Sequence, residues 1–196
     1  MTASYGTADD LRTLQARLIA CNQRRVARPC EPWGQKLTLT GLLWLATACY
    51  GVHILEEYQL DWRNWARSAL KLPVEWTDFY VVNALVVILG IVAANLAAWP
   101  AIALAFPALM LINATFFHVL PFIRLRGRFS PGLFTAIVLF YPVGIACYVR
   151  AATDGILSFA ALITSFVLGA LLMASPVILL LIKDKPYFPS GPMTEV

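Results

Sequence analysis

Charge is the scarcest property of this sequence. From Phe79 to Ile123 there is no Asp, Glu, Lys or Arg, and further charge-free runs cover Leu37 to Leu55, Phe129 to Val149 and Gly155 to Ile182. Only 13% of the 196 residues are charged, 60% are hydrophobic and the mean hydropathy is +0.71. Water-soluble domains carry about 25% charged residues, so this composition excludes that class. Each run is long enough to cross a hydrocarbon layer of roughly 30 Å as a helix. The runs lack the alternation of a membrane barrel, and backbone amides in lipid must bond internally, so the spans are predicted to be helices.

Other residue types are also few. There are only two histidines, His53 and His118, which excludes the many-histidine pattern of membrane di-iron enzymes. Of four cysteines, Cys49 and Cys147 fall in apolar runs and Cys21 and Cys30 near the N-terminus, with no histidine at metal-site spacing. They leave the redox compartment open. No internal repeat, low-complexity tract or nucleic-acid signature is present. The net charge of +4 resides in basic residues flanking the spans, which makes anionic lipid headgroups, and not nucleic acid, the expected partner.

The pattern that remains is an all-α, polytopic membrane helical bundle of about five transmembrane helices with an N-terminal amphipathic segment. Residues 1–36 form a polar tail in which Leu11, Leu14, Leu18 and Ile19 recur at helical spacing among arginines, predicting an amphipathic surface helix over Leu11 to Val26. No short apolar core with a small-residue cleavage site occurs there, so no removable signal peptide is expected and Leu37 onward would act as the signal anchor. Residues 37–182 form the five-span domain and 183–196 a C-terminal tail. Span one is predicted over Leu37 to Leu55, followed by an interfacial segment from Tyr58 to Leu72 that Pro73 ends. The run after Phe79 must fold back once, and Trp99-Pro100 is the natural turn, because proline disfavours helix at the residue before it. Span four is expected from Ser130-Pro131-Gly132 to Arg150, and span five from about Ile156 to Ile182.

Five spans bring the end of span one, the start of span two, the end of span three, the start of span four and the end of span five to one side of the membrane. Both histidines fall on that side, with Glu56, Glu57, Asp78, Asn113, Ser130 and Thr135. It holds eight basic residues against seven on the other, and those nearest span ends favour placing it in the cytoplasm. The expected location is therefore the bacterial inner (cytoplasmic) membrane, multi-pass, with the site on the cytoplasmic side.

In His53-Ile54-Leu55-Glu56-Glu57 the imidazole precedes the carboxylates by three and four positions, so at about 3.6 residues per turn all three share one helix face. Asn113 and His118 lie at a similar depth in span three. Ionisable groups at membrane depth are costly and usually face a protein interior or wet cavity. The bland alternative is that the glutamates mark the interface while His53, Asn113 and His118 bond helix to helix.

With His53-x-x-Glu56-Glu57, Asn113-Ala114 followed by His118, and Ser130-Pro131-Gly132 followed by Thr135, the sequence resembles the HXXEE-domain integral membrane proteins over roughly Leu42 to Leu180. The resemblance implies an enzyme whose reaction is unassigned, and it leaves the N-terminal tail outside.

Four chemistries suit these residues. In the first, His53, Glu57 and His118 bind a divalent metal, zinc or iron, with Glu56 as general base and Asn113 orienting a ligand or substrate. A two-metal variant would add Glu56 and Asn113, Asp78 or Glu75. In the second, a metal-free isomerase or cyclase uses the glutamate pair as acid and base beside histidine. In the third, His53 and His118 hold a haem between them. In the fourth, the cluster binds a cation or proton in a transporter or lipid-binding protein. The metal-dependent enzyme is preferred, with Ser130 to Gly132 shaping the lip of a site that a lipophilic substrate enters from the membrane.

Overall fold

The structure, a computed structural model, describes residues 37–182; the segment expected over Leu11 to Val26 and both tails lie outside the described residues. Among these there is no strand, and five helices are long and apolar enough to cross a membrane: α1 (Leu39–Gln59), α2 (Trp76–Asn95), α3 (Pro100–Arg124), α4 (Leu133–Thr153) and α5 (Phe159–Ile182).

Local chemistry sets the helix ends. Thr38 caps α1 by accepting from Gly41 N at 3.1 Å. The α1 helix runs past Leu55, the end anticipated from the apolar run, because Glu57 turns into the bundle and Glu56 bonds another helix. It stops at Leu60, and Asp61 follows in the left-handed region at φ 55°. A short helix, Trp62–Trp65, and a π-helical turn, Ala66–Leu70, then form a hook before α2. Glu75 joins that hook to the next span, pairing with both Arg63 and Arg67 while forming a reciprocal cap with Asp78 at the start of α2. The turn between α2 and α3 falls at Leu96–Trp99, and Pro100 occupies the first turn of α3, where its missing N–H costs nothing.

Helix α3 is the most buried of the five and α5 the least. The former packs on α4 and α5, while α1 packs on α2 and α4. Close approach of α5 to α3 depends on Gly169, where a Cβ would stand 2.8 Å from both Leu109 N and Ala108 Cβ. Outward faces are apolar: Leu85, Phe134, Phe159, Leu171 and Leu179 are all more than half exposed. So much large apolar surface suits lipid and not water.

Two π-helical turns interrupt the spans, Ala114–Val119 in α3 and Ala136–Phe140 in α4. A proline follows each by two residues, Pro121 and Pro142. Proline has no N–H to return to the preceding turn, so the bonding register there can change, as in Leu120 N to Thr115 O and Tyr141 N to Ala136 O. Both turns border the polar cluster described next.

Candidate metal centre

His53 and Glu57 lie four residues apart on α1 and both face inward; His118 comes to them from the π-helical turn of α3. Both imidazoles are fully buried, and Glu57 is 5% exposed. The two rings meet edge to face with centroids 4.8 Å apart. His53 also lies against Phe140 at 4.3 Å, which fixes the ring from the other side. His53 Nε2 and His118 Nε2 each stand 3.5 Å from the same atom, Glu57 Oε1.

Hydrogen bonds on the far side of each ring set its tautomer. His53 Nδ1 is 2.7 Å from Thr135 Oγ1. The one proton of that hydroxyl goes to an acceptor, Glu56 Oε2 at 2.5 Å or Gly132 O at 3.2 Å. When the hydroxyl donates to either of these, its oxygen accepts from His53 Nδ1–H. His118 repeats the arrangement, its Nδ1 being 3.1 Å from Ser130 Oγ, while that hydroxyl donates to Phe117 O at 3.3 Å or Pro131 O at 3.4 Å. The Phe117 carbonyl is available because Pro121, four residues on, has no N–H to reach it. Where each hydroxyl gives its proton to these other acceptors, each ring carries its proton on Nδ1 and turns a bare Nε2 lone pair inward.

In that tautomer two imidazole lone pairs converge on the Glu57 carboxyl, and neither Nε2 has a hydrogen-bond partner among the described residues. No lysine or arginine among those residues pairs with Glu57. An uncompensated buried carboxylate costs several kcal/mol, and unpartnered buried nitrogens add to that. A cation between them removes both costs. Ligand atoms of the three side chains lie within 4.8 Å of one another. Two ligands, each roughly 2.0–2.1 Å from a tetrahedral metal, are about 3.4 Å apart, which matches the two nitrogen–oxygen separations. Metal-bound histidines as a rule donate their other ring N–H to an outer acceptor, the place that the Thr135 and Ser130 hydroxyls occupy here.

Gly132 presses on this cluster. A Cβ there would lie 2.5 Å from His118 Cε1, 2.7 Å from His53 Cε1 and 3.0 Å from Glu57 Cγ, and its φ of 91° independently favours glycine. Ser130 is fully buried. The Ser130 to Gly132 segment thus touches the histidines directly, where the sequence suggested a lip.

Glu56 occupies a different place from Glu57. Its carboxylate accepts from Phe134 N at 3.2 Å, Thr135 N at 2.8 Å and Thr135 Oγ1. Leu133 N bonds Ser130 O and Ala136 N bonds Gly132 O, so every amide of the first turn of α4 is satisfied, two of them by a side chain from α1. Asn113 makes no hydrogen bond to the three metal-ligand candidates. Its Nδ2 meets Met173 Sδ at 3.8 Å and its buried Oδ1 has no partner among the described residues. It nevertheless lines one cavity with Glu57, a space of about 60 Å³ that Tyr50, Asn83 and Trp62 also border.

Several expectations change. Glu75 is held by Arg63 and Arg67, whose guanidinium groups keep its carboxyl below the ordinary glutamate range, so it is no second-metal ligand. Haem between the histidines does not fit either: both Nε2 atoms converge on one carboxylate oxygen and the rings touch edge to face, leaving no slot for a macrocycle. Asn83, whose Oδ1 accepts from Tyr50 Oη at 3.3 Å, joins the cavity wall although no motif marks it. An amide in the middle of the apolar run of α2 is the only mark the sequence gives it.

The sequence model of a protein family described as "protein of unknown function with HXXEE motif" matches residues 44–147. No curated protein and no solved structure matches the chain.

Proposed function

The chain belongs to the HXXEE family, and from that premise we propose that it is a membrane-embedded, metal-dependent enzyme acting on a lipophilic substrate. His53, Glu57 and His118 hold one divalent cation, zinc or iron, through two imidazole nitrogens and one carboxylate oxygen. The observation that carries this reading is the pair of unpartnered Nε2 atoms, each 3.5 Å from Glu57 Oε1. Such a cation, with a position left open, would polarise a substrate carbonyl or activate water. Thr135 and Ser130 hold the imidazoles in the metal-binding tautomer, and Glu56 orients Thr135 while capping α4. Glu56, which accepts from that hydroxyl, is the general base, whereas Asn113 binds substrate in the adjoining cavity. Apolar outer faces support the bilayer as the surrounding medium, with the site near one surface.

The same converging lone pairs favour one other reading, in which a proton takes the metal's place and the cluster works as an acid/base isomerase or cyclase. Elemental analysis of detergent-purified protein separates the two. Near-stoichiometric zinc or iron in the wild type, absent from a His53→Ala, His118→Ala double variant that remains folded, is expected. Protein that stays metal-free after metal-supplemented growth while retaining its fold would overturn the metal reading in favour of the proton.

A further inference from the structure

Three aromatic rings and a carboxylate meet in one cleft where α1 ends and α2 begins. Tyr58 lies on α1, while Trp76 and Tyr80, four residues apart, share a face of α2. Ring centroids are 5.2 Å apart for Tyr58 and Trp76, 6.0 Å for Trp76 and Tyr80, and 6.3 Å for Tyr58 and Tyr80. Buried Phe79 backs the indole edge to face at 5.3 Å. Tyr58 and Tyr80 are about half exposed, and with Gln59 and Asp61 the rings line a cleft of about 390 Å³.

Asp61 sets the sign of what the cleft can hold. Its backbone is left-handed, and its carboxylate caps the short helix that follows by accepting from Asn64 N at 3.5 Å and Asn64 Nδ2 at 2.6 Å. Both donors are neutral. No Lys, Arg or His among the described residues forms an ion pair with Asp61, and Arg63 is paired with Glu75. The negative faces of the rings add to the carboxylate charge, so the cleft favours a cation and repels an anion. A cation is attracted within about 6 Å of a ring centroid, and the spacing of the three rings lets one cation meet that limit for all of them. A primary ammonium brings three N–H donors that each need an acceptor, whereas a trimethylammonium brings none and rests its methyl groups on the ring faces. Tyr and Trp also gather at membrane surfaces as anchors, but an anchor needs no unpaired carboxylate among its rings.

Position selects a lipid as the bearer of that cation. Leu55, one turn deeper than Tyr58, and Ala84, one turn deeper than Tyr80, are exposed apolar residues on two membrane-spanning helices. Acyl chains below a head seated in the cleft would run along them. We infer that the cleft formed by Tyr58, Trp76 and Tyr80, with Asp61 at its rim, binds the quaternary ammonium headgroup of a membrane phospholipid. The site faces outward, whereas the neighbouring Glu57 is buried in the bundle, so the inference stands independently of the metal reading.

The test uses full-length protein in maltoside micelles, with native mass spectrometry measuring bound lipid. Phosphatidylcholine is compared with phosphatidylethanolamine, phosphatidylglycerol and an isostere whose head ends in tert-butyl in place of trimethylammonium, all with the same acyl chains. Phosphatidylcholine should bind about tenfold more tightly than the isostere. Tyr80→Leu should weaken it about two- to fivefold and Tyr80→Phe should not, because the ring face and not the hydroxyl makes the contact. Asp61→Asn, which can still cap the short helix, should weaken phosphatidylcholine by a similar factor without weakening phosphatidylglycerol. That variant decides the matter if Tyr80→Leu unfolds. Equal binding of the isostere or of phosphatidylethanolamine, or undiminished phosphatidylcholine binding by folded Asp61→Asn, would overturn the site. Choline alone binding as tightly as the intact lipid would overturn the lipid as the bearer.

Discussion

His53 Nδ1 on α1 lies 2.7 Å from Thr135 Oγ1 on α4, a contact 82 residues apart in the chain that joins the histidine to Glu56 through one hydroxyl. Thr135→Val keeps the shape and removes that hydroxyl. Zinc affinity is then expected to fall about 10- to 100-fold, the usual effect of losing an outer-sphere partner, while Thr135→Ser restores it. Competition with a chromophoric chelator reads the affinity. Equal affinity in the valine and serine variants would show that the hydroxyl does not set the ring.

Gly132→Ala puts a methyl within 2.5–3.0 Å of both imidazoles and Glu57 at a positive φ. Overpacking of this kind costs about 1–3 kcal/mol, and the backbone strain adds about 1 kcal/mol or more. A lower thermal midpoint and loss of zinc binding are expected together. An alanine variant with wild-type stability and metal content would mean the turn can shift away from the cluster at little cost.

The two neighbouring glutamates should separate cleanly. Glu57→Gln removes the only carboxylate among the described residues that faces both Nε2 atoms and is expected to abolish metal retention. In Glu56→Gln the carboxylate that bonds Phe134 N and Thr135 N becomes an amide. That variant should keep its metal and lose about 1–2 kcal/mol of stability, as for a weakened helix cap. Metal analysis beside chemical denaturation measures both effects. The opposite pattern would exchange the roles given to the pair.

Glu75, in the turn ahead of α2, is expected to contribute a pH dependence. Arg63 and Arg67 lower its folded-state pKa, so its contribution is present above the unfolded value of about 4.3 and is lost as pH falls through the lower folded value. The thermal midpoint of wild type should decline over that acidic interval more than that of Glu75→Gln. High salt should narrow the difference, because the pair is exposed. Parallel profiles for the two proteins would show that this ion pair does not hold the hook to α2.

The helices were legible because lipid imposes a constraint that can be read residue by residue. Charge-free runs marked five spans, and Trp99-Pro100 marked the turn between α2 and α3 by the backbone limits of proline. The pairing of His53 with Glu57 on one face follows from four-residue spacing alone. Glu56, one residue nearer, shares enough of that face in a helical projection to look equivalent. Its different task depends on where α4 begins, and spacing within α1 holds no record of that.

By itself, then, the sequence determined that the chain is a bundle of apolar helices, and that its two histidines and paired glutamates lie toward one end of it. Only the tertiary structure decided which carboxylate meets the imidazoles, because that requires the register between helices. This register is set by the π-helical turns ahead of Pro121 and Pro142, and by the close approach that Gly132 allows. Likewise, the hydroxyls of Thr135 and Ser130 reach the two Nδ1 atoms only after α3 and α4 have packed.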